Sequence, residues 1–170
     1  EQLEPENIVI LTRDGKGVLS GHPIDLSGVK PKAFRTERRQ FAEAIMAKAV
    51  LVVEGGTELA LLPEASAIME ASVPGYMHFD MAGVSLFNAG GDGSVPRYAP
   101  VFRALEQHCF GFMDMPKEPL TDEAKAKLAL YDDHWVSPQK GIENLLLQKT
   151  APAIHRKFLA EVGGRDDYPT

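Results

Sequence analysis

The chain has 170 residues, 44 % apolar and 25 % charged, and a formal net charge of −6 from 18 Lys and Arg against 24 Asp and Glu. That length supports one globular domain with a real core, and the composition excludes a disordered or fibrous chain. No apolar run approaches the roughly 18 to 20 residues of a bilayer span, the opening EQLEPENIV does not read as a secretory leader, and the single Cys109 excludes an internal disulfide and fits a cytoplasmic protein.

In chain order, NIVILT (Asn7 to Thr12) and Gly17 to Ser20 read as two short strands around the turn Asp14-Gly15. A Pro- and Gly-rich loop, GHPIDLSGVKPK, follows. Phe34, Phe41 and Ile45 then keep one face of a helix of about 14 residues. Ala49 to Val53 is a continuous apolar run, the pattern of a central parallel strand covered on both faces. Gly55-Gly56 permits a tight turn, and Thr57 and Glu58 open a helix carried by Leu61, Leu62, Ala65, Ile68 and Met69.

VSLFNA (84 to 89) reads as a second buried strand, ending in the loop GGDGSVP. The next helix has Tyr98, Val101, Phe102 and Leu105 on one side, and Cys109 to Met113 is a third strand, closed by Asp114. After the loop MPKEP, Thr121 caps a short helix with Glu123 nearby, and Leu128 to Val136 is expected to hold a fourth strand. Ile142, Leu145 and Leu146, then Ile154, Phe158 and Leu159, indicate two more helices before a fraying tail, GGRDDYPT. Strands alternating with helices predict a parallel, right-handed α/β sheet of about four strands, with added helices on the C-terminal side.

The chemistry concentrates at the turn after the first buried strand. Ligand sites in open α/β sheets lie beyond the carboxyl ends of the strands, where Glu54 belongs, and Glu58 in the first helical turn can point back at the same volume. Two converging carboxylates repel unless a cation lies between them, and hard oxygen donors suit Mg²⁺ or Mn²⁺. The alternative leaves Glu54 as an exposed strand end and Glu58 as a complement to the helix dipole.

Elsewhere the signals are weaker. No HxxxH or CxxC spacing suggests zinc, Cys109 is expected to pack rather than react, and none of the five histidines has a nucleophile to serve. His134, beside Asp132 and Asp133, is the least ordinary of them. Tyr131 and Trp135 near it are suited to stacking on a base, with a core contact as the commoner use. Two basic stretches, KPKAFRTERR and His155-Arg156-Lys157, could touch phosphate, though such runs are more often solvated helix faces. Gly15-Lys16-Gly17 is a turn, and without a GxxxxGK[ST] motif the chain has no nucleotide site.

Taken together, FAEAIMAKAVLVVEGGTELALLP, VSLFNAGGDGSVPRYAPVFRAL and CFGFMD resemble the Toprim (topoisomerase–primase) domain in the form found at the C-terminal end of OLD-family (overcoming lysogenization defect) nucleases. The likeness spans about residues 34 to 148. It implies a Rossmann-like α/β fold and a Mg²⁺- or Mn²⁺-dependent endonuclease acting on DNA, with two ions. The resemblance places Glu54, Glu58 and Asp114 in the catalytic, metal-holding set. Where many Toprim domains carry DxD after the third strand, this chain has Asp114-Met115-Pro116, so a second ion needs other ligands. Asp92, Ser94, Glu118 and Glu143 are the candidates, each with a plainer role as turn, cap or surface residue.

Lys117 and Arg97 are the basic residues expected to meet DNA. The family also implies an ABC/SMC-type ATPase domain before the nuclease, so residues 1–33 are expected as a lead-in open to being its end, with residues 34–170 as the Toprim nuclease. A homodimer is compatible with this organisation. The competing function is a catalytically silent Toprim-like module that binds DNA or a partner. A phosphoacceptor receiver domain also clusters acids at strand ends, but EGGTE matches it poorly.

Overall fold

The computed structural model describes residues 7–29, 38–91 and 93–165. Val9–Arg13 (β1) and Leu19–Pro23 (β2) form an antiparallel hairpin. Asp14 shapes its turn by accepting the Lys16 and Val18 amides on Oδ1, at 2.9 and 2.8 Å. Helix α1 (Arg38–Met46) leads into β3 (Ala49–Val53), which is followed by α2 (Gly56–Ser72), the short α3 (Phe79–Ala82) and β4 (Val84–Asn88). Helix α4 (Val95–Ala104), β5 (His108–Met113), α5 (Asp122–Leu128), β6 (Asp133–Val136), α6 (Ile142–Lys149) and α7 (Pro152–Val162) complete the order.

Strands β3 to β6 form one sheet in the order β4-β3-β5-β6, every pair parallel. The expected alternation therefore holds, and β3 lies inside the sheet because both its faces are apolar: Val50, Val52 and Val53 are fully buried. From β3 the chain goes to β4 on one side and then to β5 on the other. With right-handed crossovers, such a reversal sends the two connections to opposite faces of the sheet.

One face carries Val50, Val52, Phe87, Cys109 and Met113, and α1 and α4 cover it with Phe41, Ala44, Tyr98 and Phe102. Its centre is an aromatic cluster. Phe87 lies 4.7 Å from Tyr98 and 5.5 Å from Phe102, centroid to centroid, both edge-on, an arrangement that adds to simple area burial. Ile24 and Val29, after the hairpin, belong to the same core, so the lead-in packs with the rest.

Gly111 is the cavity in this face that Tyr131 fills. A Cβ on Gly111 would stand 3.0 Å from both Cδ2 and Cε2 of the Tyr131 ring, and the ring is held at its far end by a 2.6 Å hydrogen bond from its hydroxyl to the Val95 carbonyl. Burial pushes the Tyr131 hydroxyl pKa well up, so it remains a donor.

Two expectations need correction. The fourth strand spans only Asp133–Val136, because Leu128 closes α5 and Tyr131 turns into the core. Helix α2 does not bury the stripe expected of it: only Glu58 and Ser66 are fully covered, while Ile68 is 67 % exposed. Its apolar residues are spread around the helix and cannot all face the sheet. The helix before β3 is described from Arg38 onward, which leaves Phe34 and most of KPKAFRTERR outside the described residues. Of that stretch, Arg39 pairs with Glu43 at 2.9 Å on an exposed helix face. No helix among the described residues is long and apolar enough to cross a membrane.

At the amino ends of β5 and β6, Asp132 accepts from the Cys109 amide at 2.9 Å and from Arg103 at 2.9 Å, and lies 3.2 Å from His108 Nδ1. Burial works to raise the Asp132 pKa but is outweighed by these partners, so it falls below the ordinary carboxylate range. Beside it, burial first and the Asp132 charge second push the Cys109 thiol up to about 11, keeping it protonated and unreactive at neutral pH.

Two tests follow from this packing. Gly111→Ala should cost about 1–3 kcal/mol in denaturant unfolding, since the new methyl displaces a ring anchored at its far end. For Asp132 the folded pKa lies below the unfolded one, so its stabilisation is complete above about pH 4 and is lost as pH falls through the folded value. Asp132→Asn should remove part of that acid-side slope in melts between about pH 5 and 2 and lower stability at pH 7 by about 1–3 kcal/mol.

Candidate metal centre

All four strands of the sheet run the same way, so the residues that follow them share one rim: Glu54 after β3, Ala89 after β4, Asp114 after β5 and Ser137 after β6. The order of the sheet reverses between β3 and β5, which is the position where open α/β sheets form a crevice. Glu54 and Asp114 follow these two strands. The register aligns Val53 with Phe112, and the Asp114 amide donates to Glu54 Oε2 at 2.9 Å. The first and third acidic positions singled out in the sequence thus meet, 60 residues apart along the chain.

Glu54 is only 8 % exposed. Gly91 donates its amide to the Glu54 carbonyl at 2.9 Å, closing the Gly-rich loop over the turn. That loop takes its path because Gly90, Gly91 and Gly93 adopt φ of +81°, +113° and +70°, a region closed to most side chains.

Glu58 is placed differently. It is 4 % exposed and reaches back along its own helix, accepting the Gly55 amide on Oε2 at 2.9 Å. It caps the turn that presents Glu54 and is not among the residues that border the cavity.

The cavity has a volume of about 670 Å³ and opens beside this rim. Its acidic border is Glu54, Asp114 and Glu118, and its basic border Lys117 and Lys140. Ser94 takes the N-cap position of α4 without a side-chain cap and does not border the cavity, whereas Gly93 does. Arg97 stands on the first turn of α4 and does not border the cavity. Asp92 lies outside the described residues.

The outer wall was not foreseen. After β6, Ser137 donates to the Met113 carbonyl at 2.8 Å and Met115 to the Gln139 carbonyl at 3.1 Å, so the β6–α6 loop continues the sheet ladder beyond the strands. That ladder carries Lys140 and Gly141 to the cavity. Glu143, on the first turn of α6, accepts from Thr57 Oγ1 at 3.0 Å and ties this wall to the Glu54 turn. The aromatic pair near His134 serves the fold, with Trp135 stacked on Phe110 at 6.2 Å and Tyr131 in the core.

The donor chemistry fits a hard divalent cation, since the acidic border supplies carboxylate oxygens alone. Among the described residues, no three His, Cys, Asp or Glu side chains gather closely enough to hold a metal by themselves. Two carboxylates, Glu54 and Asp114, meet at the border of the cavity.

Glu58→Ala tests the structural part of this arrangement. Loss of the acceptor for Gly55 should cost about 1 kcal/mol in thermal melts, with the fold retained by circular dichroism.

No curated protein matches the chain. Among protein families, the one described as "Overcoming lysogenization defect protein-like, TOPRIM domain" matches residues 45–115, from the end of α1 to the residue after Asp114. The match is shorter than the likeness read from the sequence. It contains Glu54, Glu58, Asp92 and Asp114 and leaves out Lys117, Glu118, Lys140 and Glu143. Over residues 45–115, and so over less than half of its length, the chain is similar to the TOPRIM domain of overcoming lysogenization defect-like proteins.

Proposed function

We propose that this chain is the nuclease module of an OLD-type ATPase-nuclease, a Mg²⁺- or Mn²⁺-dependent endonuclease that hydrolyses DNA phosphodiesters. The observation that carries the reading is the Asp114 amide bonded to the Glu54 carboxylate, which gathers both acids at the switch point of the sheet and on the border of one cavity. A family match of TOPRIM type supports a nuclease module in general terms.

Glu54 and Asp114 would hold the ion, with Asp92 or Glu118 serving a second one. A divalent ion bound there supplies Lewis-acid activation of water and neutralises charge on the scissile phosphate. The chain itself contributes placement. The Asp114 amide fixes the Glu54 head group, and Glu58 fixes the turn that carries it. Lys117, on the cavity border, would meet the phosphate backbone as a cation. With a net charge of −6, the protein repels DNA unless cations fill the acidic pocket, so metal and DNA binding are coupled. The ABC/SMC-type ATPase that precedes such modules is the partner this reading brings with it.

Plasmid nicking tests the proposal. In Mn²⁺, Glu54→Ala and Asp114→Ala should each slow nicking of supercoiled DNA by about two orders of magnitude or more, the loss expected when several kcal/mol of transition-state stabilisation are removed. Both variants should keep the wild-type circular dichroism spectrum. Undiminished nicking in both removes these residues from the chemistry. An absence of Mn²⁺ and Mg²⁺ binding by calorimetry leaves the silent binding module in its place, the reading favoured by Pro116 standing where DxD would put a second acid.

A further inference from the structure

Lys140 borders the same cavity as Glu54 and Asp114, although it follows β6 and lies outside the segment matched by the family. We propose that Lys140 is a phosphate-gripping residue of this centre, contacting the DNA backbone next to the cation that Glu54 and Asp114 hold. The inference rests on the nuclease reading for its substrate, and its argument comes from the wall that carries the lysine.

That wall is anchored on both sides of Lys140. Immediately before it, the Gln139 carbonyl accepts the Met115 amide at 3.1 Å, next to Asp114. The Lys140 carbonyl itself accepts from the Asn144 side-chain amide. Three residues on, Glu143 accepts from Thr57 at 3.0 Å, and Thr57 lies between Glu54 and Glu58. The backbone of Lys140 is therefore tied to both halves of the acidic centre, while its side chain stays exposed at the cavity.

Charge decides what that side chain can do. Lys125, Lys127 and Lys157 each pair with a carboxylate on their own helix, with Asp122, Glu123 and Glu161. Among the described residues, no carboxylate lies within ion-pair distance of Lys140. A cavity of about 670 Å³ is far larger than a single ion needs and has room for a nucleotide's phosphate and sugar. An ammonium on one wall and a carboxylate-held cation on the other form two positive poles, and a phosphodiester is the anion that bridges them. Lysine suits this role as a hydrated point charge that follows the backbone without reading bases.

Salt-dependent DNA binding separates this from a passive surface lysine. The whole chain is titrated into a fluorescein-labelled duplex by anisotropy, in Ca²⁺ to hold scission back, across a KCl series. Lys140→Met should weaken binding several-fold and make the slope of log K against log salt shallower by about 0.9, the share of one phosphate contact on B-DNA. Lys140→Arg should restore the slope, and Lys16→Met, in the β1–β2 turn, should leave it unchanged. Calorimetry with Mn²⁺ should give Lys140→Met the wild-type ion affinity. A Lys140→Met slope and affinity equal to wild type, with wild-type nicking intact, overturns the lysine assignment and leaves the nuclease reading standing. If the wild type binds the duplex but neither binds Mn²⁺ nor nicks plasmid, the nuclease reading falls, and the slope difference still decides Lys140. No measurable duplex affinity in the wild type overturns both.

Discussion

The hydrogen bond from the Asp114 amide to the Glu54 carboxylate is the contact on which the centre depends. It exists because β3 and β5 are parallel neighbours aligned Val53 to Phe112, so the residues leaving their carboxyl ends emerge side by side. A register slip of one residue would move Asp114 away from Glu54 and would also turn Cys109 and Met113 out of the core. The same burial that holds the sheet together therefore sets the separation of the two acids. A buried carboxylate such as Glu54 needs donors or a cation to offset its lost hydration, and the Asp114 amide is one such donor.

The sheet divides its electrostatics between its ends. At the amino ends of β5 and β6, Asp132 is matched by an amide, an arginine and a histidine, and its role ends there as a fastening. At the carboxyl ends, Glu54, Asp114 and Glu118 border a cavity. Acids fastened inside the fold stabilise it, and acids that border a cavity are also open to a cation from solution. The cavity, more than the count of acids, distinguishes the Glu54 rim from the opposite end of the sheet.

Much of this was readable in the residues. Continuous apolar runs at Ala49–Val53 and in β5 marked interior strands, and an acid directly after each run marked the rim. Thr121 was legible as a cap because its side chain acts locally, and it does accept the Ala124 amide at 3.2 Å. The start of the fourth strand was not legible, since Leu128 and Tyr131 are apolar for reasons of helix end and core turn, which periodicity cannot tell from a strand. Glu58 was ambiguous because one spacing serves both a metal ligand and a turn cap, and only coordinates show the Gly55 amide on its carboxylate. Gln139, Lys140 and Gly141 carry no pattern at all. Their place is set by an amide 24 residues away in sequence, that of Met115 on the Gln139 carbonyl.

That last contact bears on the missing second aspartate. In this chain Met115 and Pro116 follow Asp114, so the strand end offers no further carboxylate, and Pro116 has no amide to donate. Met115 spends its own amide on the β6–α6 loop, drawing in a wall that brings Lys140 to the cavity and Glu143 to Thr57. The departure from DxD thus changes the charge of this side of the crevice. A second acid would add to the negative field beside Asp114, whereas the loop supplies an ammonium. On the nuclease reading, a centre built this way would hold the anionic strand with protein charge on one side and with a cation at Glu54 and Asp114 on the other. It would then depend less on a full complement of carboxylates than a DxD pattern does.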